Sequence, residues 1–173
     1  NYTFPRLGIE VTFVDPCDPG SFRRAIRPST KILYGETLGN PELNVFTFDA
    51  VAAIAREHRI PLMIDNTFAS ILNQDPFRFG VDVITESATK YIGGHSDVMA
   101  GVVLGKSDYI ARVKGLAKHY GGCADPFAAY LLFRSLKTFE LRVGRQNENA
   151  LALARALEKN KKVNRVFYPG LPS

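Results

Sequence analysis

The chemistry of this chain gathers around Lys90 and Asp65. Asp65 closes the short apolar run Leu62-Met63-Ile64, and Lys90 stands shortly after Val81-Asp82-Val83-Ile84. A lysine whose surroundings lower its pKa is a nucleophile, and a nearby carboxylate can hold a cationic ring nitrogen. Two hydroxyls, Ser87 and Thr89, precede the lysine, and Gly93-Gly94 follows it, so backbone can approach a ligand closely. Hydroxyls and open backbone N–H groups suit a phosphate. Each residue also has a plainer reading. A lone lysine is ordinarily a surface residue, an aspartate at a strand end is a turn residue or cap, and hydroxyls often serve neighbouring backbone groups.

The surrounding elements decide between these readings. Residues 10–14 and 31–34 are short apolar runs bounded by turn residues, as are 61–64, 81–84 and 102–104, and all five read as buried strands. Residues 47–58 carry helical spacing in Val51, Ile54 and Ala55, with Thr47 as a cap and Asp49 in the first turn. Strand, helix and strand in alternation predict an α/β fold, a mostly parallel sheet flanked by helices. Residues 127–141 and 148–157 are helical in pattern, with Gly144 as the break between them. In such a sheet ligands bind at the carboxyl ends of the strands, where Asp65 and the Lys90 loop both fall. A lysine, a remote aspartate and paired hydroxyls are the parts that pyridoxal phosphate requires.

Composition bounds the rest. With 173 residues, 46% hydrophobic and 23% charged, the chain has the make-up of an ordinary globular protein. It holds no apolar run near the roughly 18 residues of a membrane helix, and no signal-peptide pattern at its start. Its formal charge of +5 is spread in pairs such as Arg23-Arg24 and Lys161-Lys162, which argues for a solvated basic face rather than a nucleic-acid surface. Cys17 and Cys123 lie far apart with no ligand at metal spacing, so they read as thiols of a reducing, cytoplasmic compartment. His58 falls on the polar side of its helix pattern, His119 in a loop-like stretch, and His95 where it would order the glycine turn.

The run from Asp82 to Ser96, Asp-Val-Ile-Thr-Glu-Ser-Ala-Thr-Lys-Tyr-Ile-Gly-Gly-His-Ser, resembles the cofactor-lysine signature of the Cys/Met-metabolism family of pyridoxal-phosphate enzymes. That family includes cystathionine synthases and lyases, methionine γ-lyase and O-acetylhomoserine sulfhydrylase. The runs from Glu36 to Pro41, Ile64 to Phe68 and Leu131 to Arg142 resemble further family motifs, although Ser135 stands where the family usually has Gly. The likeness covers essentially the whole chain. It implies the large-domain fold of fold-type I pyridoxal-phosphate enzymes, with residues 1–125 in the cofactor domain and 126–173 a helical segment leading toward a further domain.

The resemblance also implies roles. Lys90 would carry the cofactor and shuttle protons, and Asp65 would keep the ring nitrogen protonated. Ser87 and Thr89 would hold the phosphate, and Asn40 would bond the ring's phenolic oxygen. Glu36, Asn66 and Thr67 belong to the motifs without a defined role. The ring-stacking tyrosine, the partner-supplied phosphate ligands and the substrate-binding arginine find no position here, and the chain lacks an initiator Met. The expectation is therefore a central piece of a longer homodimeric or homotetrameric enzyme, inactive alone, that acts on small amino-acid substrates. Residues 7–11 and 38–41 look closest to sulfhydrylases, while residues 94–101 and the helical third look closer to cystathionine γ-synthases and γ-lyases. The exact reaction stays open, and a non-catalytic binding or assembly module is the alternative.

Overall fold

A computed structural model of the chain describes residues 2–171. Four strands form one sheet in chain order: β1 (Leu33–Glu36), β2 (Leu62–Asp65), β3 (Val83–Ser87) and β4 (Gly101–Gly105). β1, β2 and β3 are parallel, and β4 runs antiparallel to β3. The connections explain the directions. Two short helices, α1 (Thr3–Arg6) and α2 (Pro19–Ala25), precede β1, and helix α3 (Phe48–His58) carries the chain back between β1 and β2. Helix α4 (Ser70–Asn73) and a 3-10 turn at Pro76–Phe79 do so between β2 and β3. A helix-free loop joins β3 to β4; it folds into tight turns after Ser87 and is closed by Thr89 bonding Ala100, so β4 starts beside the end of β3 and comes back antiparallel.

Burial alternates along β2 as a one-sided core demands. Leu62 and Ile64 are fully buried with Val51 and Ala52 of α3, Ile84 of β3 and Phe22 of α2 (Pro19–Ala25) in one cluster. Phe46 sits edge-on to both Phe22 and Phe48, with ring centroids 6.0 and 5.2 Å apart. Because Leu62 and Ile64 point into this core, Met63 and Asp65 project from the opposite face. The same alternation sets Asp65 and Thr85 side by side in register, with Glu36 on the other flank.

Several sequence expectations change. Residues 10–14 form no strand: they have no ladder partner among the described residues, and Val11 and Phe13 stay exposed. β1 starts at Leu33, two residues later than read, because Leu33 rather than Ile32 points inward and pairs with Leu62. β3 runs on to Ser87, paired with Gly101 of β4. Thr47 takes the cap position of α3 but makes no side-chain capping bond. An unanticipated helix, α5 (Ser107–Tyr120), places His119 in a helical last turn instead of a loop. In the last third, α6 (Pro126–Leu136) and α7 (Phe139–Glu158) break at Lys137-Thr138, and α7 runs unbroken through Gly144. A glycine weakens a helix without ending it when the flanking turns are well formed.

Candidate active site

Asp65, Ser87 and the Lys90 loop meet at the carboxyl ends of β2 and β3. Asp65 is half-buried, and its Oδ1 accepts from the backbone N–H of Thr67 at 2.9 Å, an Asx turn that fixes the carboxylate. The Thr67 hydroxyl in turn accepts from the N–H of Ser87 at 2.7 Å. One short strap thus links the end of β2, where the carboxylate sits, to the end of β3, where the lysine loop begins. Lys90 follows in a tight turn, its N–H donating to Ser87 O at 3.0 Å. Its side chain is exposed in a cleft of about 750 Å³ lined also by Phe68, Tyr91 and Met99.

The remaining predicted residues are placed differently. Thr89 lines the same cleft, yet its hydroxyl is occupied: Oγ1 donates to Ala100 O at 3.2 Å and accepts from Ala100 N–H at 3.0 Å. To donate to a phosphate it must release that carbonyl. Asn40 is exposed beyond β1, where its N–H donates to Glu36 Oε2 at 3.3 Å. Its side chain makes no hydrogen bond to Asp65, Ser87, Thr89 or Lys90. The structure therefore places Asp65, Ser87, Thr89 and Lys90 along two neighbouring strand ends, with Thr89 and Lys90 on the cleft and Asp65 and Ser87 outside its lining, and leaves Asn40 one strand away.

Behind the carboxylate lies a buried polar cluster that sequence reasoning did not find. Asn66 is fully buried: it accepts from Thr37 Oγ1 at 2.6 Å and donates from Nδ2 to Glu86 Oε1 and to Gln74 O, each at 3.1 Å. Burial pushes the Glu86 carboxyl above its ordinary pKa of 4.5. The Asn66 bond opposes that shift, and the Asp65 charge adds to it. On the other flank, partial burial together with the charges of Asp65 and Glu36 pushes the Tyr34 phenol up to about 12. The field around Asp65 is thus negative, which favours a cation beside it.

The residues present fit pyridoxal phosphate. Asp65 Oδ2, Ser87 Oγ and Lys90 Nζ accept or donate no hydrogen bond to another described residue, while Asp65 Oδ1, Thr67 Oγ1 and Thr89 Oγ1 are engaged. One carboxylate oxygen, one hydroxyl and one amine left open at the ends of parallel strands match a ring nitrogen, a phosphate and an aldehyde. Among the described residues, no three His, Cys, Asp or Glu side chains come together to hold a metal ion.

The fold sets a lysine and a carboxylate at the carboxyl ends of parallel strands of an α/β sheet, and comparison with known proteins gives the family. The family model described as Cys/Met metabolism PLP-dependent enzyme matches residues 1–173, and the chain belongs to that family, which uses pyridoxal phosphate. It is 43% identical over 171 residues to an L-methionine gamma-lyase of Porphyromonas gingivalis, covering 97% of this chain and 43% of that protein. It is 44% identical over 168 residues to a cystathionine beta-lyase of Coxiella burnetii, covering 96% and 43%. A probable cystathionine gamma-synthase of Herpetosiphon aurantiacus is 41% identical over 167 residues, covering 96% and 52%. The chain spans about half the length or less of these curated relatives.

Proposed function

We propose that this chain supplies the lysine-bearing part of an enzyme that cleaves or replaces a C–S or C–O bond at the γ carbon of a sulfur amino acid or an O-acylhomoserine. The observation that carries the reading is the strap from Asp65 through Thr67 to Ser87, which ties the carboxylate to the lysine loop. When bound, pyridoxal phosphate supplies a cationic ring that accepts the electron pair left on the substrate's α carbon. Lys90 Nζ would hold the cofactor covalently and, once free, would take the proton from the substrate's α carbon. Asp65 Oδ2 accepts the hydrogen bond of the protonated ring nitrogen, while Oδ1 stays with Thr67. Ser87 Oγ donates to the phosphate; Thr89 joins it by releasing Ala100 O. Asn40 orients the ring's phenolic oxygen from the end of β1. Residues 126–173, which hold α6 and α7, lead toward a further domain, the whole enzyme is a cytoplasmic homo-oligomer, and this chain alone turns over no substrate.

The test has two parts. Borohydride reduction with pyridoxal phosphate should label Lys90, and labelling of Lys106 or Lys114 with Lys90 unmodified would overturn the assignment. In the enzyme that contains this chain, cystathionine, homocysteine and O-acetylhomoserine should yield 2-oxobutyrate or a thioether product. Pyruvate from cystathionine as the sole product would move the chemistry to the β carbon, the direction favoured by likeness to a cystathionine beta-lyase. Asp65→Asn should keep covalent labelling but lower turnover by about a hundredfold or more, since an amide cannot keep the ring nitrogen protonated.

A further inference from the structure

The loop that follows Lys90 is braced from outside the sheet, and Arg142 is the centre of the brace. Four successive carbonyls leave Lys90 through Gly93, and each has a donor. Lys90 O accepts from Gly94 N–H at 2.7 Å. Tyr91 O accepts from Arg142 Nη1 at 2.8 Å, and Ile92 O from Nη2 at 3.3 Å. Gly93 O meets His95 Nδ1 at 2.7 Å, so that ring nitrogen carries the proton. The same Nδ1 lies 3.3 Å from Ser135 Oγ, at the buried position where the family resemblance anticipated a glycine.

Arg142 is fixed in turn. Its Nη2 also donates to Ser135 O at 3.0 Å and its Nε to Thr138 Oγ1 at 3.1 Å, both at the break between α6 and α7. It forms no ion pair with a described carboxylate; its fork is filled by oxygens from three backbone groups and one hydroxyl. Lysine, a point charge with a single nitrogen, cannot span this set. Gly94 completes the fit: its φ is +73°, and a Cβ there would fall on the Arg142 guanidinium.

We infer that Arg142 is a positioning residue for Lys90, coupling the α6–α7 junction to the nucleophile. The inference rests on the cofactor role of Lys90 proposed above. Lys90 is held at both of its backbone ends, by Ser87 O and by Gly94 N–H, and the second hold exists because Arg142 keeps Gly94 in place. Arg142 itself touches neither cofactor nor substrate.

The test compares the unaltered chain with Arg142→Gln and Arg142→Lys. Pyridoxal phosphate and borohydride label the lysines across a pH series, and peptide mass analysis gives the preference for Lys90 over Lys106 and Lys114. Amide hydrogen exchange is followed at Gly93 and Gly94, and at Leu62, Ile64 and Ile84 as a measure of the sheet. Arg142→Gln should lower the Lys90 preference about tenfold and speed exchange at Gly94 about tenfold or more, with the sheet amides still protected. Arg142→Lys should fall between. Faster Gly94 exchange with an unchanged Lys90 preference and pH profile overturns the inference, as does unchanged Gly94 exchange. If Arg142→Gln also loses sheet protection, Arg142→Lys decides by the same two criteria. If the unaltered chain shows no Lys90 preference, the cofactor reading itself falls, and the positioning role with it.

Discussion

At the scale of single residues, Asp65 Oδ1, Thr67 Oγ1 and the Thr89 hydroxyl are tied to backbone, while Asp65 Oδ2, Ser87 Oγ and Lys90 Nζ are left open. The cost of that arrangement is concentrated at Glu86, 7% exposed and one strand position before Ser87. Its folded pKa is raised, so the stability it contributes is fully present below 4.5 and is lost as pH rises through the raised value. Glu86→Gln keeps an oxygen for Asn66 Nδ2 and removes the buried charge. It should therefore flatten the dependence of stability on pH above 4.5 and gain on the order of 1 kcal/mol near neutrality. Urea midpoints over a pH series, compared between the two chains, check this; identical slopes would show that Glu86 is not the group responsible. Lys90 and Asp65 were legible in the sequence because each follows an apolar run. Glu86 was not, because a carboxylate inside a strand reads as solvent-facing until the pairing partners on both sides are known. Arg142 stood inside a recognisable motif, but its target lies 51 positions away.

At the scale of elements, the sequence carried the positions of the four strands, residues 102–104 included, but not the direction of the last one. β1, β2 and β3 each open on apolar residues, and their ladder puts Leu33, Leu62, Ile64 and Ile84 into one core. The direction of β4 is a property of the loop before it, which has no periodicity to read. Helix α5 could have been found: Ile110, Val113 and Ala117 recur at helical spacing, with Gly121 as a left-handed stop. Gly144 misled for the opposite reason, since a local breaker signal was outvoted by good helix formers on both sides. Its backbone is helical, it is exposed, and a Cβ there meets nothing within 4 Å. Gly144→Ala should accordingly stabilise the chain by about 0.5–1 kcal/mol. A denaturant midpoint that moves down instead would mean that α7 is interrupted at this position after all.

For the whole molecule, surface area is the informative quantity. A compact monomer of 19.2 kDa exposes roughly 8,400 Å² by the usual scaling of area with mass, whereas this chain exposes 12393 Å². Much of the excess is apolar. Phe13 is 76% exposed, Tyr120 86% and Leu141 75%, and α5 buries none of its residues. Patches of this kind on a globular chain are contact surfaces or aggregation sites. Burying even 1,000 Å² of apolar area is worth roughly 25 kcal/mol before the costs of association, so solvent is a poor resting place for these faces. The chain in isolation is expected to self-associate as its concentration rises and to bind a fluorescent apolar dye. Charge does not prevent this, because a net +5 spread over so large a surface gives only weak repulsion at ordinary salt. Sedimentation velocity over a concentration series, with dye fluorescence read on the same samples, checks both. A concentration-independent monomer that sediments as a compact particle and leaves the dye dark would mean that these faces close on one another in solution.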